Sequence, residues 1–171
     1  MPNKEYVLTM ARYNCWQNEN LLSSANEFSD EERQKERGSF FGSIQKTFSH
    51  IFWGDMVWMS KFEETLKPDG GITDSTDLIS SWHWFRGARQ TLDARILTWA
   101  HEVTSDWFEG DLSWHSGAMG RDISRPKKTL VIQIFNHQTH HRGQIHAMMT
   151  AAGARPDDTD VPFMPERFLN M

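Results

Sequence analysis

Cysteine is nearly absent from this chain, and long apolar runs are missing altogether. Cys15 is the only cysteine among 171 residues, so no disulfide can form within the chain, which suits a reducing compartment. No window approaches the ~18 consecutive apolar residues that a membrane span requires. The early polar residues Asn3, Lys4 and Glu5 do not fit the apolar core of a signal peptide. These features predict a soluble, cytoplasmic protein.

Positive charge is also in short supply. The chain has 18 lysine and arginine residues against 23 aspartate and glutamate residues, which gives a formal net charge of −5. This balance disfavours nucleic acids and anionic membrane surfaces as partners, because both attract a basic face. Aromatic side chains, in contrast, are abundant, with eight tryptophans and eleven phenylalanines. They predict a substantial core, and the chain length suits a single domain over residues 1–171.

Apolar residues recur at the spacing of amphipathic helices in four segments. These segments run from about Lys4 to Phe28, from about Ser39 to Leu66, from about Asp77 to Thr104 and from about Lys127 to Ala152. Pro126 and Gly153 flank the fourth segment, where they favour the start and the end of a helix. Four long amphipathic helices in one chain predict an all-α four-helix bundle.

Two segments lack this periodicity. Residues Trp107 to Arg125 contain three glycines and short alternating stretches, which predict a small β-hairpin between the third and fourth helices. The tail from Arg155 onward holds three prolines, and we expect it to pack as an ordered coil over the bundle.

A histidine pair lies within the apolar stripe of the fourth helix. His137 and His141 are four residues apart and are flanked by Ile134, Ile145 and Met148. On a helix, this spacing places both imidazoles on one face, where they can bind the same cation. Burial of two imidazoles costs free energy unless their nitrogens have partners. The pattern therefore favours a metal site, and a pair of core histidines that hydrogen-bond to neighbouring helices is the structural alternative.

A metal site needs a third ligand, and spacing alone does not select it. The candidates are four histidines outside the fourth helix, namely His50, His83, His101 and His115. His50 lies on the flank of the second helix rather than on its central seam. A bundle helix contacts two others, so a flank position can still face the interior.

Two stretches carry a resemblance to a known family. Residues 39–62 (SFFGSIQKTFSHIFWGDMVWMSKF) and 135–144 (FNHQTHHRGQ) are similar to the DinB/YfiT family of metalloenzymes, and the similarity extends over nearly the whole chain. The resemblance implies a four-helix bundle, often a homodimer, with three histidines that hold a metal such as zinc or nickel. One ligand comes from the second helix and two come from the fourth. Carried over to this chain, they are His50, His137 and His141.

Three neutral imidazoles leave at least one coordination position open, as in catalytic zinc sites. Such a metal can activate water for hydrolysis, or it can bind a low-molecular-weight thiol for transfer to a small electrophile. The resemblance favours a thiol-dependent S-transferase that acts on a small-molecule substrate in detoxification or stress. A metal-dependent hydrolase is the enzymatic alternative, and a non-catalytic metal-binding stress protein is the third.

Other polar residues interrupt the apolar stripes. Asn14, Asn18 and Gln144 either contact a substrate or orient a metal ligand, or else they belong to a structural hydrogen-bond network. Asp55 and Arg89 each break an apolar seam on different helices. We expect these two residues to pair with each other, because a buried charge requires a partner. The alternative is that Arg89 binds a substrate carboxylate.

Overall fold

The computed structural model describes residues 1–65, 67–117 and 119–171 of the chain. Four long helices make up most of it, as the sequence predicts. In chain order, the helices are α1 (Lys4–Asn26), α2 (Asp30–Gln34), α3 (Ile44–Phe62), α4 (Trp82–Glu102), α5 (Lys127–Ala151) and α6 (Glu166–Leu169). The predicted four-helix bundle is confirmed, and the short helices α2 and α6 add to it.

Side-chain caps set where two of the long helices begin. Ser43 accepts a hydrogen bond from the backbone N–H of Lys46, and Ser81 caps α4 in the same way. Serine is a favoured N-cap, because its hydroxyl takes up an N–H that has no partner within the helix. The predicted starts at Ser39 and Asp77 are therefore five residues too early. The predicted end of the second helix, Leu66, lies outside the described residues, and α3 ends at Phe62.

The bundle is held together by a continuous hydrophobic core. Helix α1 packs against α4 and α5, and α3 packs against α5. Phe85 and Phe135 are almost fully buried at the centre. Because α5 contacts both α1 and α3, its side chains face two neighbouring helices. Among the described residues, no helix has the length and hydropathy needed to cross a bilayer.

The predicted hairpin is present between α4 and α5. Strand β1 (Asp111–Ser116) pairs antiparallel with β2 (Arg121–Pro126). Trp114 of β1 contacts Trp58 of α3, with ring centroids 5.8 Å apart. This aromatic contact fixes the hairpin against the end of the bundle that is far from the start of α3.

The tail packs over α1 as an ordered coil, as predicted. A 3₁₀ turn at Val161–Phe163 and then α6 follow its extended part. Residues 157–159, which we call the strap, are held by polar side chains of α1. Tyr13 donates its hydroxyl proton to the carbonyl of Thr159 at 2.7 Å, and Gln17 Nε2 donates to the carbonyl of Asp158 at 2.9 Å. The strap therefore closes one side of the groove between α1 and α5.

Candidate metal centre

Three histidines meet between α3 and α5. His50 Nε2 lies 3.0 Å from His137 Nε2. Together with His141, these residues form a group whose ligand-capable nitrogens all lie within 4.8 Å of one another. His50 and His141 are only 4% and 7% exposed, so both imidazoles face the interior. The structure thus brings together the three histidines to which the sequence pointed.

A glycine makes room for this arrangement. Gly54 lies one turn after His50 on α3, and a Cβ atom at Gly54 would lie 2.8 Å from Cε1 of His137. Ordinary contacts between carbon atoms are about 3.5–4.0 Å. The missing side chain therefore allows the His137 ring to lie directly against the backbone of α3, next to His50.

A serine outside the helices fixes the tautomer of His50. Ser75 Oγ lies 2.9 Å from His50 Nδ1 and donates its only proton to the carbonyl of Ile72 at 2.7 Å. Ser75 Oγ must therefore accept a hydrogen bond from the Nδ1–H of His50. Nε2 of His50 then carries the lone pair, and it points toward His137. Periodicity could not reveal Ser75, because it lies in the connection between α3 and α4.

Gln144 has the same relationship to His141. Its Oε1 atom lies 2.8 Å from His141 Nδ1. A carbonyl oxygen can only accept a hydrogen bond, so Nδ1 of His141 carries the proton and Nε2 carries the lone pair. Protein partners on the second ring nitrogen are typical of metal-binding histidines. Of the three roles predicted for Gln144, the bond to His141 fits both the orientation of a metal ligand and a structural hydrogen-bond network. Contact with a substrate stays a prediction.

The cluster is electrostatically suited to a cation. Burial and the two neighbouring imidazoles lower the pKa of His50 to about 3. Burial, then His141, lower the pKa of His137 to about 4, against an opposing effect of Asp55. Burial also lowers the pKa of His141. The three rings are therefore neutral near pH 7, which is the form that binds metals.

The distance between two of the imidazoles also fits a shared cation. Two nitrogens that each lie about 2.0–2.1 Å from one metal ion are about 2.9–3.4 Å apart at octahedral to tetrahedral angles. The 3.0 Å between the Nε2 atoms of His50 and His137 falls in this range. The three histidines therefore form a group that can hold a metal ion.

Aromatic rings border the histidines. The ring of Phe41 lies 4.1 Å from the His50 ring and 5.3 Å from the His141 ring, centroid to centroid. Trp53 also stacks with the His50 ring, with ring centroids 6.1 Å apart. Phe40, which contacts Phe41, is 81% exposed. The side of the cluster formed by these rings is thus apolar, which strengthens electrostatic interactions within it.

The remaining predicted residues form a buried polar network beside the cluster. Arg89, 1% exposed, donates to Asp55 at 2.6 Å and to Asp93 at 2.7 Å. The predicted pairing of Asp55 with Arg89 is therefore present. Asn14 and Asn18 both donate to Asp93 Oδ1, at 3.0 and 2.8 Å. Sequence reasoning missed Asp93, although it follows Arg89 by four residues on the same helix, the spacing of an ion pair.

The network extends onto the helix that carries the histidine pair. Gln138, next to His137, donates from Nε2 to Asp55 Oδ1 at 2.8 Å. Arg142, next to His141, donates to the side-chain oxygen of Asn14. Burial lowers the pKa of Arg142 to about 10, so it remains a cation at neutral pH. The network holds two arginines and two aspartates. Arg89 bonds directly to both aspartates, whereas Arg142 is connected to Asp93 through Asn14.

Comparisons with known proteins agree with this fold. The model of the DinB family matches residues 1–167. Protein DinB of Bacillus subtilis (strain 168) is 24% identical over 168 residues, which cover 91% of this chain and 91% of that protein. The crystal structure of a DinB-like protein from Bacillus cereus is similar with a TM-score of 0.62 and 18% identity, over 84% of this chain and 90% of that one. The family match spans nearly the whole sequence, so the chain belongs to the DinB family.

Proposed function

We propose that this protein binds one divalent metal ion, zinc or nickel, through His50, His137 and His141, and that it is a metal-dependent enzyme. The observation that carries the proposal is the convergence of three neutral imidazoles whose nitrogens lie within 4.8 Å of one another. Ser75 and Gln144 support it, because each holds the Nδ1 proton of a ligand histidine. Their contacts leave the Nε2 lone pairs of His50 and His141 available to a metal.

Within this class, we favour a thiol-dependent transferase that acts on a small electrophile. A divalent cation with three protein ligands supplies Lewis-acid chemistry at an open position, where it lowers the pKa of a bound thiol or water. A hydrolase also needs a general base near that position. Asp55 is the carboxylate whose charge acts on His137, but its two oxygens accept hydrogen bonds from Arg89 and Gln138. Phe41 and Trp53 offer an apolar wall to the electrophile.

A non-catalytic metal-binding stress protein is the second candidate. The low exposure of His50 and His141 favours it, because a site closed to substrates serves stability alone. The two candidates differ in whether an exogenous ligand reaches the metal.

We further propose that the protein is a homodimer, on the basis of the family resemblance, and that it is cytoplasmic, on the basis of the unpaired Cys15. Light scattering of the metal-loaded protein tests the dimer.

The first experiment is elemental analysis of protein purified without an affinity tag. We expect about one divalent ion per chain in the wild type, and its loss in the double variant His137→Ala, His141→Ala. The control is His83→Ala, His146→Ala, which removes two histidines outside the cluster, one from α4 and one from α5, and should keep the metal. If the wild type neither contains metal nor takes it up on reconstitution, the histidines are a polar core network and the proposal fails.

The second experiment separates the reaction classes. The metal-loaded protein is incubated with bacillithiol, mycothiol or glutathione and a fluorogenic electrophile, and in parallel with activated esters without thiol. Metal-dependent conjugation with one thiol supports the transferase. Ester cleavage that is lost with the metal supports the hydrolase instead. A metal that gives neither reaction, and whose Co²⁺ spectrum does not change on addition of a thiol, supports the non-catalytic protein.

A further inference from the structure

A cavity lies on another side of α5, away from the histidine cluster. It has a volume of about 210 Å³ and opens between α1, α5 and the strap. Arg142 and Gly143 line it from α5, and Tyr13 lines it from α1. Arg142 directly follows His141, but consecutive side chains on a helix point about 100° apart. The cavity is therefore distinct from the proposed metal centre.

Arg142 is a buried cation whose hydrogen-bond partners are neutral. It is 4% exposed and donates to the side-chain oxygen of Asn14, with longer contacts of 3.5 Å to Asn18 and Thr139. Arg89, in contrast, donates to two carboxylates. In the described parts of the chain, Arg142 has no carboxylate within 4.0 Å. A buried charge gains most from a directly bonded partner of opposite sign, and a bound anion would supply one at the cavity.

We infer that this cavity binds a small monocarboxylate, with Arg142 as the residue that recognises the carboxylate group. The planar guanidinium fork matches the two oxygens of a carboxylate. The hydroxyl of Thr139 lines the same cavity, and Leu21 with the ring of Tyr13 offers an apolar wall for a short carbon chain. Pockets for drug-sized ligands are about 300–1,000 Å³, so the smaller volume here restricts the ligand to a few carbon atoms.

The charge around the cavity favours a monoanion over a dianion. Arg142 is the arginine that lines it, and the acidic residues Asp157, Asp158 and Asp160 lie on or beside the strap. The negative charge of Asp160 reaches Tyr13 in the cavity wall. A phosphate dianion would therefore meet more repulsion than a carboxylate, and inorganic phosphate should bind more weakly than propionate.

The test is a titration of the full-length protein with propionate, with propionamide as the neutral analogue of the same shape. Binding is followed by the NMR signals of the arginine Nε–H groups. We expect saturable binding with a dissociation constant on the order of 1 mM, and at least about tenfold weaker binding of propionamide. Absence of saturation by about 50 mM propionate, or equal binding of propionamide, would overturn the inference.

A cavity-filling variant localises the site without touching Arg142. A Cβ atom at Gly143 meets no other atom within 4 Å, so Gly143→Leu extends a side chain into the cavity. Gly87 of α4 is likewise exposed and open, and Gly87→Leu is the matched control. We expect the first variant to lose propionate binding at least about tenfold and the second to bind as the wild type does. If Gly143→Leu binds propionate normally, the site lies elsewhere and the inference is wrong. Metal content, measured on the same samples, keeps this result independent of the metal proposal.

Discussion

The close approach of His137 to Gly54 gives a sharp prediction. In Gly54→Ala, the new Cβ would lie 2.8 Å from Cε1 and 3.3 Å from Nδ1 of His137. The ring must move by about 0.7 Å to restore ordinary contact. Metal–ligand distances tolerate deviations of only about 0.2 Å. We therefore expect metal affinity to fall about 10- to 100-fold, as measured by competition with a chromophoric chelator.

The stability of the metal-free protein separates two opposing effects of this substitution. Replacing a helix glycine with alanine raises the free energy of unfolding by about 1 kcal/mol. Overpacking lowers it by about 1–3 kcal/mol. The net change in the free energy of unfolding for Gly54→Ala should lie between about zero and a loss of 2 kcal/mol. Gly87→Ala, where a Cβ meets nothing within 4 Å, should instead be stabilised by about 1 kcal/mol. If Gly54→Ala is stabilised equally and binds metal as the wild type does, the account of the site is wrong.

Three further predictions concern the surroundings of the histidines. Ser75→Ala should lower metal affinity about tenfold, because the tautomer of His50 is no longer fixed, whereas Ser60→Ala removes a similar hydroxyl from α3 and should not. The metal-free protein should lose up to about 6 kcal/mol of stability as the pH falls from about 6.5 toward 4 in urea titrations, because each of the two histidines contributes up to about 1.4 kcal/mol per pH unit. Over that window, the unfolded chain takes up protons on His50 and His137, while the folded chain, whose pKa values for these residues are lower, does not. Arg89→Met should cost about 3–5 kcal/mol in urea denaturation, because it leaves two buried carboxylates unpaired.

Each of these predictions has an outcome that contradicts it. Equal metal affinities of Ser75→Ala and Ser60→Ala would show that the hydroxyl at position 75 does not orient His50. A stability that stays flat or rises between about pH 6.5 and 4 would mean that the imidazoles are protonated in the folded state. A loss below about 1 kcal/mol for Arg89→Met would mean that solvent already screens the pair with Asp55.

Periodicity predicted the four long helices and the starts of α1 and α5, but it placed the starts of α3 and α4 five residues too early. The apolar residue Phe41 continues the spacing of α3, so the pattern extends the helix back to Ser39. In the structure, Gly42 has a φ of +81°, a conformation that interrupts the helix, and Ser43 caps the first turn. Phe41 is thereby released from the helix and lies against the rings of His50 and His141. Phe41 was therefore predicted correctly as a residue that faces the interior. Its contact with the histidines depends on the turn at Gly42, which hydrophobic spacing does not reveal.

The candidate site was predictable to different degrees. The i, i+4 spacing of His137 and His141 indicated that both side chains can bind the same cation. Sequence alone was enough here, because both residues lie on one helix. His50 could not be selected by spacing, since its orientation depends on which flank of α3 meets α5. Only the family resemblance identified it. Ser75 had no signal at all, because a hydroxyl in a connecting segment acquires its role only when the chain folds.

Helix α5 connects the histidine cluster to the buried charges. His137 and His141 occupy one strip of its surface, and Gln138 and Arg142 occupy the adjacent strip with the same four-residue spacing. The second strip is hydrogen-bonded to Asp55 of α3 and to Asn14 of α1. These bonds fix the rotation of α5 about its own axis without any contribution from a metal. The packing of α5 therefore keeps the imidazoles close together although their burial costs free energy. A metal ion that binds them does not have to bring the helices into position.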